Sequence, residues 1–109
     1  MADKLSRLQK WILVNTLIQR KLAFCHKTMR DRLYYLERRD IYRDFFGQGK
    51  DKRPIETKVR VTVTRSLKNL EAKRYIDTEG AGQKLFLTEQ GRRKGKALMK
   101  EALIVVIRK

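Results

Sequence analysis

The stretch from Lys58 to Gly91 decides the fold, and its first helix is encoded by VRVTVTRSLKNLEAK over residues 59–73. At about 100° per residue, a helix places four aliphatic side chains on one side: Val59, Val63, Leu67 and Leu70. The opposite side carries small or β-branched residues and two long cations: Val61, Arg65, Lys68 and Ala72. In the major groove of DNA, methyl groups contact thymine and guanidinium groups bind guanine. This pattern predicts a helix that reads DNA.

The start of this helix has two interpretations. Thr57 and Thr62 are both suitable N-caps, and neither has Glu or Gln three residues later to complete a capping box. A cap at Thr57 gives a helix over 57–73 with Arg60 and Val61 in its first turn. A cap at Thr62 moves the expected DNA contacts towards the later turns.

A β-hairpin follows the helix. The segments Tyr75–Thr78 and Leu85–Leu87 are rich in β-branched and aromatic residues, and the glycines between them supply the positive φ of a turn. A last helix begins at Thr88 or Glu89 and is expected to run over 88–108. A helix, a hairpin over 75–87 and a further helix follow one another in the order of a winged helix.

Two segments resemble the winged helix-turn-helix transcription regulators, and within them the MarR-like group. VTRSLKNLEAKRYI, residues 63–76, is similar to the recognition helix running into the first wing strand, and LTEQG, residues 87–91, is similar to the second strand running into the last helix. The resemblance covers roughly half of the chain. It implies a mainly α fold with a small β-hairpin wing and long N- and C-terminal helices, and DNA binding in transcription regulation.

Three features depart from the MarR-like pattern. Arg74 stands where the family usually has a glycine in a left-handed turn. The hairpin lacks the acidic and basic pair that many MarR-like proteins carry. The basic loop at 47–56 is longer than the turn of a standard helix-turn-helix. The resemblance therefore extends to the broad family rather than to strict membership of the MarR-like group.

The composition points to a polyanionic partner. The 109 residues include 28 Lys plus Arg against 12 Asp plus Glu, a formal charge of +16. This length predicts one domain with one core, and the charge makes nucleic acid the first candidate partner, ahead of an acidic membrane surface. No apolar run is long enough to span a bilayer, and the first residues do not follow the signal-peptide pattern, so we expect a soluble cytoplasmic protein.

The N-terminal third is expected to be helical. Apolar residues recur at helical spacing over 5–22 and occupy more than one side of the predicted helix. A second subunit or the chain's own core could equally pack against the additional apolar side. The segment 28–36 reads best as a helix, because Thr28 and Asp31 match a capping box. Alternatively, Tyr34–Leu36 forms a short strand that pairs with the hairpin. The segment 37–46 resembles the first helix of the helix-turn-helix.

The terminal helices predict a homodimer. The apolar residues near the C-terminus form a stripe wider than one packing face requires, as do those of the first helix. The expected interface consists of Leu8, Trp11, Leu98, Met99, Leu103 and Val106. Such a dimer would place two recognition helices about one DNA turn apart.

No catalytic or metal site is expected. The chain has one cysteine, Cys25, and one histidine, His26, which cannot complete a tetrahedral metal site. Cys25 is expected to be a buried structural thiol. No phosphate-binding glycine loop and no carboxylate pair in an apolar setting occurs, so we predict a protein that is not an enzyme and needs no cofactor. No effector pocket can be identified.

The leading hypothesis is sequence-specific binding to double-stranded DNA. The candidate base contacts are Val61, Thr62, Thr64, Arg65, Lys68 and Asn69. The candidate phosphate contacts are Lys50, Lys52, Arg53, Lys58, Arg60, Lys84, Arg92, Arg93 and Lys94. The alternatives are an architectural protein that binds DNA without sequence preference, and an RNA- or ribosome-associated protein.

Overall fold

The computed structural model describes residues 4–49 and 54–107, with backbone alone for residues 30, 31 and 102–107. The described residues form four helices and four strands in the order α1 Arg7–Gln19, β1 Leu22–Cys25, β2 Arg30–Glu37, α2 Arg38–Asp44, α3 Thr57–Ala72, β3 Ile76–Glu79, β4 Lys84–Leu87 and α4 Glu89–Ile107. The strands pair into one antiparallel sheet in the order β1-β2-β4-β3.

This sheet shows that the predicted fold class was wrong. The fold is α+β, with helices on an antiparallel four-stranded sheet, and is not mainly α with a hairpin wing. The difference arises in the segment 28–36, which was expected to be helical and belongs to β2 and the turn before it. Tyr35 pairs with Phe86 and Leu36 with Leu85, as the alternative strand interpretation predicted.

Partial cover on both faces of β2 explains the error. Leu36 faces the helices and is buried, while Tyr35 on the opposite face is half-buried with its ring centroid 5.9 Å from that of Phe86. A strand that is covered on both faces loses the alternation of apolar and polar residues by which strands are recognised. Met29, Leu33 and Leu36 are spaced three and four residues apart, as on one face of a helix, and this spacing led to the wrong prediction.

The β1–β2 hairpin folds across the sheet and reaches the far strand. The backbone N–H of Lys27 donates to Glu79 Oε2 at 2.9 Å, and Cys25 Sγ lies 3.4 Å from the same oxygen. Lys27 Nζ also lies 3.6 Å from Glu71 Oε2 at the end of α3. These contacts join the first hairpin to β3, although β1 and β3 are the two edges of the sheet.

The main core lies between the helices and one face of the sheet. Its buried side chains come from Leu5 before α1, from α1, α2 and α3, and from the three strands β2, β3 and β4. They are Leu5, Leu8, Ile12, Leu13, Leu36, Ile41, Val59, Val63, Leu67, Leu70, Ile76, Leu85 and Leu87. Trp11 packs against this core and meets the ring of Phe45 edge-on, with centroids 5.5 Å apart. The core therefore fixes α1 and α2 relative to α3.

Helix α1 packs against α4 and the core of its own chain. Ser6 caps its N-terminus by accepting from Gln9 N at 3.1 Å, while Gln9 Oε1 accepts from Ser6 N at 2.9 Å. Helix α4 approaches it closely at Gly95, where an added Cβ would lie 2.6 Å from Leu17 Cδ1 and 3.1 Å from Leu13 O. Most of the apolar residues of α1 thus contact α4 and the core, whereas Ile18 is 56% exposed, so cover by a second subunit stays a prediction.

Candidate nucleic-acid interface

Helix α3 presents the two faces that its sequence predicts. Val59, Val63, Leu67 and Leu70 are buried in the core, with at most 8% exposure. Val61, Arg65, Lys68 and Ala72 are exposed on the other side. The helix begins at Thr57, but Glu56 occupies the N-cap position and makes no side-chain cap hydrogen bond. Neither proposed threonine cap is therefore observed.

Most of the predicted base-contact residues share the exposed face of α3. Val61, Thr62, Arg65, Lys68 and Asn69 are all exposed. Thr64 differs because it is half-buried and its hydroxyl accepts a hydrogen bond from Arg38 Nη2. The outward surface of α3 is formed by the exposed residues, with Thr64 at its margin.

The cations of α3 are not neutralised by neighbouring acids. Lys58, Arg60, Arg65 and Lys68 form no ion pair within the described parts of the chain. Several acids elsewhere are already paired: Glu37 with Arg39, Asp40 and Asp44 with Arg43, and Glu89 with Arg93. This division leaves a cationic helix face whose charges are available to an external anion.

Glu71, near the end of α3, is partnered by residues of the two hairpins. It accepts from Thr78 Oγ1 at 2.7 Å, and this bond, together with the charge of Lys27, lowers the pKa of the Glu71 carboxyl. Its hydrogen bond and its ion pair are therefore made with Thr78 and Lys27 and not with a cation of the exposed face.

The predicted phosphate contacts do not form one cluster. Lys58 and Arg60 lie on the first turn of α3. Lys84 lies on the sheet face away from α3, with Nζ 5.6 Å from the ring centroid of Tyr35. Lys50, Lys52 and Arg53 are outside the described residues.

The remaining phosphate candidates lie at the start of α4. Helix α4 starts beside the end of α3, where Thr88 Oγ1 donates to Arg74 O at 2.6 Å. The guanidinium of Arg92 lies over Tyr34, 5.7 Å from its ring centroid, and Arg93 pairs with Glu89 at 3.1 Å. Lys94 is half-buried. The predicted contacts therefore divide between the first turn of α3, the hairpin and the start of α4.

Arg38 joins the elements around the exposed helix, and the sequence did not reveal this role. Its backbone N–H donates to Gln83 O in the β3–β4 turn at 2.8 Å. Its side chain donates to Tyr42 Oη in α2, and to the carbonyl of Arg60 at 3.0 Å and the hydroxyl of Thr64 in α3. This contact depends on how α2 crosses α3, which no local pattern in residues 37–46 encodes.

The turn after α3 keeps its left-handed geometry without a glycine. Arg74 has φ +64°, while Arg74 N donates to Glu71 O at 2.9 Å and Tyr75 N to Leu70 O at 3.0 Å. This pair of bonds is the Schellman arrangement that normally ends on glycine. Compared with glycine, Arg74 therefore gives the turn the same shape but more steric strain.

The predicted dimer residues are divided between the core and the surface. Leu8 is buried in the core, and Trp11 and Leu98 pack against it. Met99 is 40% exposed. The side chains of Leu103 and Val106 lie outside the described part of α4. The homodimer stays a prediction, and most of the predicted interface whose side chains are described packs within one chain.

The described residues contain no cluster that could hold a metal ion. Cys25 is fully buried. The Glu79 carboxylate that contacts its thiol has a lowered pKa, chiefly because the backbone N–H of Lys27 donates to it. The absence of catalysis and of a cofactor stays a prediction.

No helix among residues 4–49 and 54–107 is long and apolar enough to cross a membrane. Neither a protein-family model, nor a curated protein, nor a solved structure matches the chain.

Proposed function

We propose that the protein binds double-stranded DNA, with the exposed face of α3 in the major groove. The observation that carries this proposal is the face itself. It combines exposed cations that form no ion pair in the described chain with the exposed methyl groups of Val61 and Ala72. Cations bind phosphates and guanine edges, while methyl groups contact thymine.

The dimensions of α3 support this proposal. Its 16 residues extend over about 24 Å at 1.5 Å per residue, and the major groove, about 12 Å wide, admits a helix. Lys58 and Arg60 flank one end of the helix, and Arg92 and Arg93 follow the short β-hairpin that begins at its other end. In this arrangement, base-reading residues lie between two groups of phosphate-binding cations.

Arg65 and Lys68 are the proposed base-reading cations, and Thr62 and Asn69 contribute flanking contacts. Two chains would present two copies of α3, which matches a DNA site with two-fold symmetry. The role in transcription expected from the resemblance of residues 63–76 stays a prediction, as does the homodimer.

Selection from a random pool of DNA duplexes at near-physiological salt tests the function. The affinities of the enriched duplex and of a scrambled duplex are then measured over a salt series. Enrichment of one sequence that outcompetes the scrambled duplex supports the proposal, and a pseudo-palindrome also supports the dimer. Equal, strongly salt-dependent binding identifies an architectural protein. Absence of duplex binding overturns the proposal and directs the same test to RNA.

A further inference from the structure

A cleft lies between α2, α3 and the turn of the β3–β4 hairpin. Its lining residues are Arg38, Tyr42, Arg60, Thr64, Ala81 and Gln83. Residues from three separate elements thus converge on one opening beside the first two turns of α3. No acid is among these lining residues, and the sequence pattern did not single out the cleft.

The guanidinium of Arg38 is held in place from one side only. Its Nε donates to Tyr42 Oη, and its Nη2 donates to Arg60 O and to Thr64 Oγ1. Its Nη1 makes none of the hydrogen bonds found within the described residues. This atom lies beside the hairpin turn, 3.7 Å from where a Cβ on Gly82 would lie. The guanidinium is therefore held in a fixed orientation, and the two N–H groups of Nη1 can donate hydrogen bonds to a ligand.

The hydrogen bonds of Arg38 determine the polarity of the cleft. A guanidinium only donates hydrogen bonds, so the hydroxyls of Tyr42 and Thr64 must accept from it. Each hydroxyl then keeps its own hydrogen to donate elsewhere. Together with Nη1, these hydroxyls supply a set of donors, and the amide of Gln83 adds another donor.

The charge of the cleft matches this polarity. Arg38 forms no ion pair within the described chain, and Arg60 lines the same cleft. The neighbouring groove does contain Glu71, whose carboxylate is bonded to Thr78 and lies 3.6 Å from Lys27 Nζ. A ligand that accepts several hydrogen bonds and carries negative charge is complementary to such a site, and a phosphate group has both properties.

We propose that the cleft between α2, α3 and the β3–β4 turn binds one phosphate group of a nucleic-acid backbone, with Arg38 as its central donor. This inference rests on the proposed function, because the backbone source is favoured by the position of the cleft beside the exposed face of α3. Arg38 would thereby fix the orientation of α3 in the groove, since phosphate contacts determine register.

Substitution of Arg38 by Gln, compared with substitution of Arg39 by Gln, tests the cleft. Arg39 is the neighbouring residue, is 77% exposed and pairs with Glu37, so its replacement removes the same charge outside the cleft. We expect Arg38→Gln to weaken duplex binding about tenfold and to reduce the log–log salt slope by about one. Arg39→Gln should change both quantities less. Tyr42→Phe should weaken binding without a change of net charge.

Nuclear magnetic resonance of the unmodified protein gives a reading that does not depend on the stability of any variant. The Nε–Hε signal of Arg38 should shift in a saturable manner when duplex DNA is added, and more weakly with inorganic phosphate. The signal of Arg39 serves as the internal control, and it should shift less in both titrations.

The outcomes separate the cleft from the proposed function. If duplex DNA binds but the Arg38 signal does not shift and Arg38→Gln behaves like Arg39→Gln, the cleft proposal is wrong and DNA binding stands. If inorganic phosphate shifts the signal but no nucleic acid binds, the phosphate does not come from a nucleic-acid backbone, and the cleft binds free phosphate. If neither ligand shifts the signal and no duplex binds, both proposals fail.

Discussion

Helices α3 and α4 both carry several cations, but they use them differently. On α3, Arg65 and Lys68 are exposed and form no ion pair within the described residues. On α4, Arg92 lies over the ring of Tyr34 and Arg93 pairs with Glu89. Arg65 and Lys68 of α3 are thus available to a partner, whereas Arg92 and Arg93 of α4 already have contacts within the chain.

Helices α3 and α4 also differ in how closely their backbones pack against the rest of the protein. Helix α4 packs tightly on the rest of the protein through Gly91 and Gly95, whose positions leave no room for a Cβ. Helix α3 packs through aliphatic side chains and keeps its opposite face exposed. The comparison indicates that α4 mainly supports the fold and that α3 is the helix placed for recognition.

The largest expected effect follows from replacing Gly91 in α4 by Ala. The new Cβ would lie 2.0 Å from Tyr75 O, so the backbone of α4 or of the turn before β3 must move. We expect the free energy of unfolding to fall by about 3 kcal/mol, as measured by denaturant unfolding. Gln90→Ala, at the exposed neighbouring position, should be nearly neutral. Equal stability of the two variants would show that α4 is not tightly packed at this point.

A smaller effect of opposite sign is expected at the end of α3. Replacing Arg74 by Gly should raise the free energy of unfolding by about 0.5–1 kcal/mol, because glycine adopts a positive φ without steric strain. Ala72→Gly, at the last residue of the helix, should lower the free energy of unfolding by at most about 1 kcal/mol. If thermal unfolding showed that Arg74→Gly is destabilising, the side chain of Arg74 would have to make a stabilising contact.

The smallest effect concerns Glu79, which lies between α3 and α4 in the sequence and accepts a hydrogen bond from the backbone N–H of Lys27. Because the pKa of Glu79 is lowered, its carboxylate contributes its full stabilisation of the fold at pH values above 4.5, the ordinary pKa of glutamate. This contribution is lost as the pH falls through the lowered pKa. The protection of the Lys27 amide against hydrogen exchange, after correction for the intrinsic rate at each pH, should therefore fall in acid. Glu79→Gln should exchange faster already at neutral pH, and its exchange, corrected for the intrinsic rate, should depend less on acid.

Local patterns predicted the parts of the fold that depend on neighbouring residues. The buried face of α3 follows from the spacing of Val59, Val63 and Leu67, and the β3–β4 hairpin follows from its glycines. The β1–β2 hairpin could not be identified in this way, because Leu33, Tyr34 and Tyr35 of β2 are all half-buried and show no alternation. The contact of the hairpin to Glu79 also comes from distant sequence.

The candidate site shows the same limit. The outward residues of α3 could be chosen from helical periodicity, and Arg65 and Lys68 are exposed as that choice requires. The role of Arg38 could not be predicted, because it depends on the packing of α2 against α3 and on the position of the β3–β4 turn. The cover of α1 by α4 likewise depends on Gly95, whose contacts lie far away in sequence.

Duplex affinity of two double variants tests most directly whether α3 is the recognition helix. One replaces Arg65 and Lys68 by Ala and the other replaces Arg92 and Arg93 by Ala, so that both lose the same charge. The α3 variant should lose about 1–3 kcal/mol per residue on the selected duplex and much of its preference over a scrambled duplex. The α4 variant should lose affinity for both duplexes alike, with a smaller salt slope. Loss of preference in the α4 variant, with preference retained in the α3 variant, would contradict the assignment of α3.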